Sequence, residues 1–196
     1  MSGTPEVRSN QPSKCNDPEE IFSRPTLISH TAAVGMILLS VFETLVMQDV
    51  KETIEVLNDL VQINNDRIVA YEKAIRQTKT EDTDLKILYA SMVAEGHRMK
   101  IALATEVQAM GAEIEQGTTT SGKIYRTWME VKAIFTGHNR HTILANCISG
   151  EESIQRAYRM ALSHDLPAYI RELLTRQQDT LLTSLEEVRS LRDQYA

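Results

Sequence analysis

Four long stretches of this chain repeat apolar residues at steps of three and four, the spacing that lines one face of an α-helix. They run from about 49 to 78, 83 to 110, 139 to 163 and 168 to 194. The repeated positions include Leu57, Val61, Ile68, Tyr71, Leu85, Met92, Met99, Leu103, Leu144, Cys147, Ile154, Tyr158, Ile170, Leu174, Leu181 and Val188. Such stripes predict four long amphipathic helices, which gain their stability by packing their apolar faces together.

Residues typical of helix ends fall at the boundaries of these stretches. Asp49 and Glu52 form a D-x-x-E capping pattern at the start of the first. Gly111 follows the second, at the place where glycine commonly ends a helix. Asn139 is placed to cap the third helix and Pro167 to start the fourth. Aromatic residues are only 5% of the chain, and this composition favours an all-helical fold over a sheet protein.

The connections between the four helices are short, long and short. The long one covers about 28 residues, from 111 to 138, and contains the amphipathic segment KIYRTWMEVKAIF. Two helical hairpins joined by a long crossover is the connectivity of ferritin-like bundles, whereas a simple up-and-down bundle has short loops throughout. The predicted fold is therefore all-α: a ferritin-like four-helix bundle over residues 47–196, with a short helix in the crossover.

The sequence before Met47 has a different character. Residues 1–25 are rich in Pro, Ser, Asn and charge without an apolar period, which predicts a disordered tail. The apolar run Ala32–Phe42 is about eleven residues long, whereas a membrane span needs about 20, and no signal-peptide pattern accompanies it. We interpret residues 1–46 as a dispensable extension, with a native start at Met47. An extra amphipathic helix or strand is an alternative, and a membrane anchor is disfavoured.

Several segments resemble a known family. They are EVLNDLVQINNDRIVAYEKA, LKILYASMVAEGHRMKIALATEVQAMG, RTWMEVKAIFTG and GEESIQRAYRMAL. Their distinctive elements are LNDL and N-x-D in the first helix, Trp128, Lys132 and Gly137 in the crossover, and Gly150-Glu151. In combination they resemble an uncharacterised bacterial family of ferritin-like proteins, a domain of unknown function found largely in proteobacteria. The resemblance covers nearly all of residues 47–196, and it implies a ferritin-like fold and no established activity.

Each long helix places a polar residue on its apolar seam near its middle. These are Asn64 in the first helix, Glu95 in the second, Glu151 in the third and Gln177 in the fourth, with Asn65 and Glu72 along the edge of the first seam. Because neighbouring antiparallel helices meet at their centres, these side chains are expected to share one polar layer. His97 lies about 200° from Glu95 on the helical wheel, and so it is expected to face solvent.

The layer has two interpretations. As a metal site, Glu95 and Glu151 would bind iron or manganese, with Glu72, Asn65 or Gln177 adding oxygen ligands. As a structural layer, the same side chains would hydrogen-bond and set the helix register, since unpaired buried carboxylates are costly. A ferritin-like di-iron site uses two Glu-x-x-His motifs. Arg98 and Thr180 stand where the histidines would be, so the sequence favours the structural layer and leaves a weak metal site as the alternative.

Charge and cysteine content narrow the function classes. The net charge of −6 argues against nucleic-acid binding, and Cys15 and Cys147 lie too far apart in sequence to suggest a disulfide framework, which fits a reducing compartment such as the cytoplasm. We therefore expect a cytoplasmic, non-enzymatic bundle protein with a stress-associated or structural role. We expect it to form a homo-oligomer. Trp128 in the crossover either covers the bundle or contacts a second subunit. Metal binding through the inward carboxylates is the alternative function.

Overall fold

The computed structural model describes residues 27–114, 123–131 and 140–194, and all regular structure in them is helical. Five helices follow one another: α1 Leu27–Gln77, α2 Thr83–Ala109, α3 Lys123–Val131, α4 Arg140–Leu162 and α5 Ala168–Asp193. The chain divides into two compact units, Met1–Glu43 and Thr44–Ala196. α1 begins in the first unit. The rest of α1 belongs to the second unit, which also contains α2 to α5. The predicted all-α class is confirmed over these residues.

The start of α1 differs from the prediction. The backbone is already helical at Leu27, so the expectation that Asp49 caps the first helix is wrong. The physical reason is that the chain from 36 to 50 contains no Gly or Pro that would end a helix before position 49. Asp49 instead lies inside the helix, where its carbonyl oxygen accepts a hydrogen bond from Thr53 Oγ1 at 2.9 Å.

The other described helix ends agree with the sequence. α2 ends at Ala109, and Gly111 adopts a φ of 77°, a left-handed conformation that favours glycine. Pro167 is the N-cap residue of α5. The predictions for the tail 1–25, for Lys132 and Gly137, and for the Asn139 cap fall outside the residues that the structure describes. No helix in the described ranges is both long enough and apolar enough to span a membrane.

In the unit Thr44–Ala196, the four long helices all contribute to two clusters of buried apolar side chains. The first cluster includes Leu57, Leu60, Met99, Leu103, Ile154, Tyr158, Ile170, Leu174 and Leu181, and α3 adds Ile124, Tyr125 and Trp128. The second includes Tyr71, Leu85, Tyr89, Met92, Leu144, Cys147, Leu185 and Val188. The two clusters follow each other along every long helix. Between them lie several buried polar residues, and these form the site described below.

Gly96 marks a close approach of α1 and α2. It is buried, and a Cβ atom built on it would lie 2.9 Å from Ile68 Cγ1, closer than real Cβ contacts. The backbone oxygen of Asn64 would lie 3.8 Å from the same Cβ. The absence of a side chain at position 96 therefore allows the two helices to pack tightly beside Glu95.

Two aspartates of α1 hold the crossover helix α3. Asp59 Oδ2 accepts hydrogen bonds from the backbone N–H groups of Ile124 at 3.1 Å and Tyr125 at 3.2 Å. Asp66 Oδ2 accepts from Tyr125 Oη at 3.1 Å and from Trp128 Nε1 at 3.2 Å. A carboxylate at a helix N-terminus satisfies otherwise unpaired N–H groups and favours the helix dipole. The LNDL and N-x-D elements thus supply the contacts that fix α3 on α1.

Candidate functional site

Arg67 of α1 lies at the centre of the bundle with only 1% of its side chain exposed. Its Nε and Nη2 atoms donate to the two carboxylate oxygens of Glu151, each at 2.9 Å, in a bidentate pair. The same Nη2 atom lies 2.9 Å from Oε1 of Glu95. Nη1 donates to the carbonyl oxygen of Met92 at 3.4 Å. One guanidinium from α1 therefore joins carboxylates from α2 and α4.

Two hydroxyl groups complete the contacts of these carboxylates. Tyr71 Oη donates to Glu151 Oε1 at 2.7 Å, and Ser184 Oγ donates to Glu95 Oε2 at 2.6 Å. We call Arg67, Tyr71, Glu95, Glu151 and Ser184 the charge layer. Because Ser184 belongs to α5, the layer draws a side chain from every long helix. Charge-assisted hydrogen bonds of this kind are stronger than neutral ones.

The guanidinium is held in its charged form. Burial alone would lower the pKa of Arg67, but the attraction and hydrogen bonds of Glu151, with a smaller contribution from Glu95, raise this pKa above the usual value for arginine. Tyr71 is held in its neutral form, because burial and then the nearby Glu151 carboxylate raise its pKa well above 10.0. Tyr71 therefore acts as a hydrogen-bond donor to Glu151 at neutral pH.

A second group of polar side chains adjoins the charge layer on the side of the first apolar cluster. Asn64 Nδ2 donates to Tyr158 Oη at 3.0 Å and to the carbonyl oxygen of Leu60 at 2.9 Å. Tyr158 Oη donates to Gln177 Oε1 at 2.7 Å, and Gln177 Nε2 donates to the Met99 carbonyl at 3.3 Å. We call Asn64, Tyr158 and Gln177 the amide layer. It links the same four helices with neutral hydrogen bonds.

Two buried oxygen atoms of these layers accept no hydrogen bond. They are Oδ1 of Asn64 and Oε1 of Glu95. The Glu95 oxygen is compensated by the charge of Arg67, whose Nη2 lies 2.9 Å away. The Asn64 oxygen lies one turn of α1 from Arg67, in a residue with no exposed surface. The site therefore holds more oxygen acceptors than its donors satisfy.

The structure brings four of the six predicted site residues together. Asn64, Glu95, Glu151 and Gln177 are all buried and belong to the two layers. Asn65 is exposed, and its Oδ1 accepts from Lys100 Nζ at 2.9 Å. Glu72 is half-buried and follows Tyr71, so its Cβ points about 100° away from that of Tyr71. His97 is exposed, as predicted.

Arg67 was not predicted from the sequence, although only 1% of its side chain is exposed. The hydroxyl groups of Tyr71, Tyr158 and Ser184 were missed as well, since the two tyrosines were interpreted only as apolar core residues. A signal was present for Arg67. It follows Asn64 by three positions and precedes Tyr71 by four, so it lies on the same seam. Two buried glutamates also require a nearby cation.

The residues do not fit a di-iron centre. Across 27–114, 123–131 and 140–194, no group of three or more His, Cys, Asp or Glu side chains is placed to hold a metal ion. Arg98 and Thr180, at the positions of the missing histidines, are exposed to solvent. The space between Glu95 and Glu151 is taken by the Arg67 guanidinium. The positive charge between the two carboxylates is therefore supplied by Arg67.

Cys147 offers no nucleophile at neutral pH. It is a free, buried thiol whose Sγ lies 3.8 Å from Tyr89 Oη. Burial raises its pKa to about 12, which more than offsets the opposing effect of the Tyr89 hydroxyl. The thiolate is the reactive form, so this cysteine is an inert part of the second apolar cluster.

A comparison with protein families shows what this chain is similar to. The family model described as a domain of unknown function (DUF2383) matches residues 52–164. The matched part contains Asp59, Arg67, Glu95 and Glu151, and it ends before α5. A search of curated proteins finds no match to this chain.

Proposed function

The chain belongs to the DUF2383 family, and from this membership and the contacts of Arg67 we propose a non-enzymatic helical bundle protein with a structural role. We propose that its bundle is ferritin-like and that the role is stress-associated, by analogy with ferritin-like proteins of bacterial stress responses. The observation that carries the proposal is the ion pairing of Arg67 with Glu95 and Glu151. Both inward carboxylates bind a side chain of the same protein, and this contact joins three helices.

The order of the helices supports the ferritin-like arrangement. Residues 78–82 connect α1 to α2, and residues 163–167 connect α4 to α5, so each connection is short. The segment between α2 and α4 is long and contains α3. Two hairpins joined by such a crossover distinguish ferritin-like folds from simple up-and-down bundles.

The chemistry of the charge layer supports a structural role. A buried bidentate arginine–carboxylate pair has strict geometric requirements, so it stabilises one alignment of the helices and disfavours others. Two groups of the layer, Arg67 and Tyr71, are held in single protonation states by their surroundings. This fixed charge and fixed donor support a layer whose role is to hold the helices in register.

We also propose that the protein is a cytoplasmic homo-oligomer. Large apolar side chains of α1 support self-association, since Met36, Phe42 and Met47 are 73%, 64% and 69% exposed. Exposed apolar side chains that together form a contiguous patch commonly mark protein contacts. The free thiol of Cys147 is in keeping with a reducing compartment.

Metal content tests the proposed function against its alternative, iron or manganese binding by Glu95 and Glu151 with Glu72 and Gln177. The full chain is purified from cells grown with added iron and manganese, and both metals are measured by elemental analysis. We expect far less than one ion per chain, and the same amount in a Glu95→Gln, Glu151→Gln variant. Stoichiometric metal that this variant loses would establish the alternative and reject the structural role.

A further inference from the structure

We propose that Arg67 excludes divalent cations from an oxygen-lined site that Glu95 and Glu151 would otherwise form. The inference depends on the contacts of Arg67 and not on the proposed structural role. It concerns a latent site for a hard divalent cation such as Mn²⁺, closed in the native protein by a guanidinium of its own chain.

The geometry of one nitrogen atom carries the inference. Nη2 of Arg67 lies 2.9 Å from Glu95 Oε1 and 2.9 Å from Glu151 Oε2. A divalent cation that bridged the same two oxygens would bind them at about 2.0 to 2.6 Å. It would therefore compete with Nη2 for the space between these two oxygens, and the guanidinium opposes its entry.

The charge of Arg67 adds to this steric exclusion. Its side chain is almost completely buried, and a guanidinium stays protonated at any physiological pH, so its positive charge is permanent. A divalent cation a few ångströms from it would be repelled strongly, because charges inside a protein are weakly screened. Loss of one proton cannot open the site, as it could with histidine or lysine.

The surrounding atoms define which ion would enter if Arg67 were removed. The oxygens are the carboxylates of Glu95 and Glu151, the hydroxyl groups of Ser184 and Tyr71, and the Met92 carbonyl. Oδ1 of Asn64, which is buried and accepts no hydrogen bond, lies one turn away on the face of α1 that carries Arg67. An all-oxygen set favours hard ions such as Mn²⁺, Mg²⁺ and Ca²⁺ over zinc or copper.

The test compares Mn²⁺ binding by the full chain and by an Arg67→Ala variant, measured by equilibrium dialysis and by the loss of the free Mn²⁺ electron paramagnetic resonance signal. We expect no saturable binding by the native protein at this site. The variant should bind one Mn²⁺ per chain, with affinity at least about 100-fold higher, since a neighbouring charge changes ion affinity by orders of magnitude. Mn²⁺ should also raise the thermal midpoint of the variant alone.

Two further variants separate this effect from a general loss of positive charge. Arg189→Ala removes a half-buried arginine that pairs with Glu152 and Glu186, and it should gain no Mn²⁺ binding. Combining Arg67→Ala with Glu95→Gln and Glu151→Gln should abolish the gain. If Arg67→Ala does not fold even with Mn²⁺ present, the same measurement is made on Arg67→Gln, which retains much of the side-chain volume.

Two results would overturn the inference. One is a folded Arg67→Ala or Arg67→Gln protein that binds Mn²⁺ no better than the native chain. The other is saturable binding by the native protein that Glu95→Gln and Glu151→Gln remove, because it would show that Arg67 does not close the site. The second measurement needs no arginine variant and so does not depend on how those variants fold.

Discussion

Glu151 and Glu152 are consecutive in α4, yet their carboxylates meet opposite surroundings. The Glu151 side chain is 1% exposed and pairs with Arg67. The Glu152 side chain is 43% exposed and pairs with Arg189 at 2.7 Å on the surface. A buried ion pair broken on one side leaves an uncompensated charge, whereas an exposed pair exchanges one set of solvated contacts for another.

At the residue scale, this contrast predicts very different costs for two neighbouring substitutions. Glu151→Ala should lower the free energy of unfolding by about 3 to 5 kcal/mol, because Arg67 loses its bidentate partner while it stays buried. Glu152→Ala should lower it by no more than about 1 kcal/mol. Urea unfolding followed by circular dichroism measures both. Equal costs for the two variants would show that the Arg67 pair does not carry the stability that we assign to it.

Helical spacing is enough to predict Glu95, Glu151, Asn64 and Gln177 as inward residues, because each stands between apolar residues of its seam. The same spacing does not identify Arg67, since a long arginine side chain normally extends from an apolar surface into water. Only the need of the two buried carboxylates for a counter-charge selects it. The sequence of one helix thus predicts that Glu95 or Glu151 is buried, but it does not predict which residue of another helix pairs with that carboxylate.

At the element scale, α3 depends on contacts with α1 more than on its own length. A helix of nine residues is too short to be stable alone in water. Asp59 satisfies two of its N-terminal N–H groups, and Asp66 binds Tyr125 and Trp128. Burial, with the Asp66 carboxylate adding to it, raises the pKa of Tyr125 to about 12, so this tyrosine remains a hydrogen-bond donor at neutral pH.

Asp59→Ala should therefore release α3 while leaving the four long helices in place. Trp128 is the only tryptophan of the chain and is 6% exposed, so its fluorescence reports on this helix alone. We expect its emission to move to longer wavelength and its quenching by iodide to increase, with little change in helical circular dichroism. Asp49→Ala is the matched control. It changes an exposed aspartate of α1, the helix that also carries Asp59, and it should change neither signal. Unchanged Trp128 emission in Asp59→Ala would contradict the role given to Asp59.

Element boundaries follow from sequence where a residue forces the backbone to change. Gly111 does so at the end of α2, and its positive φ is in keeping with the prediction. Asp49 does not, because a capping pattern is only a preference and the preceding residues continue the helix. A strong apolar run next to a capping pattern is therefore a poor guide to where a helix begins.

At the scale of the whole molecule, buried tyrosines connect stability to alkaline pH. The pKa values of Tyr71, Tyr89 and Tyr158 are all raised above 10.0, in each case mainly by burial. The unfolded chain loses these protons near pH 10, whereas the folded chain keeps them. Above that pH the folded state binds more protons than the unfolded state, so stability falls as pH rises. Below about pH 10 these three groups leave stability unchanged.

We therefore expect the urea midpoint to decline above about pH 10, with tyrosinate absorbance appearing in the same transition as loss of helix. Tyr158→Phe should make the decline shallower, because one raised pKa is removed. Tyr169→Phe changes an exposed ring and should leave the slope as it is. Titration of all six tyrosines near pH 10 without unfolding would contradict the burial on which this prediction rests.

The four long helices and their short, long and short connections were predictable, because the apolar repeat and the residues typical of helix ends are visible in each segment. The division of the core into two apolar clusters separated by the charge layer was not, since it depends on which polar residues align across four helices. Alignment between helices is set by side-chain contacts such as that of Arg67 with Glu151, which no single segment contains.

Gly96 gives the charge layer a dependence on backbone spacing. It adjoins Glu95, and the lack of a side chain there lets α2 approach Ile68 of α1. The Cβ atom of an alanine at this position would lie 2.9 Å from Ile68 Cγ1, so the Ile68 side chain or the backbone of one helix would have to shift. A shift of the backbone would change the distance between Glu95 and Arg67, and a single methyl group would then alter an electrostatic attraction while touching neither charged residue.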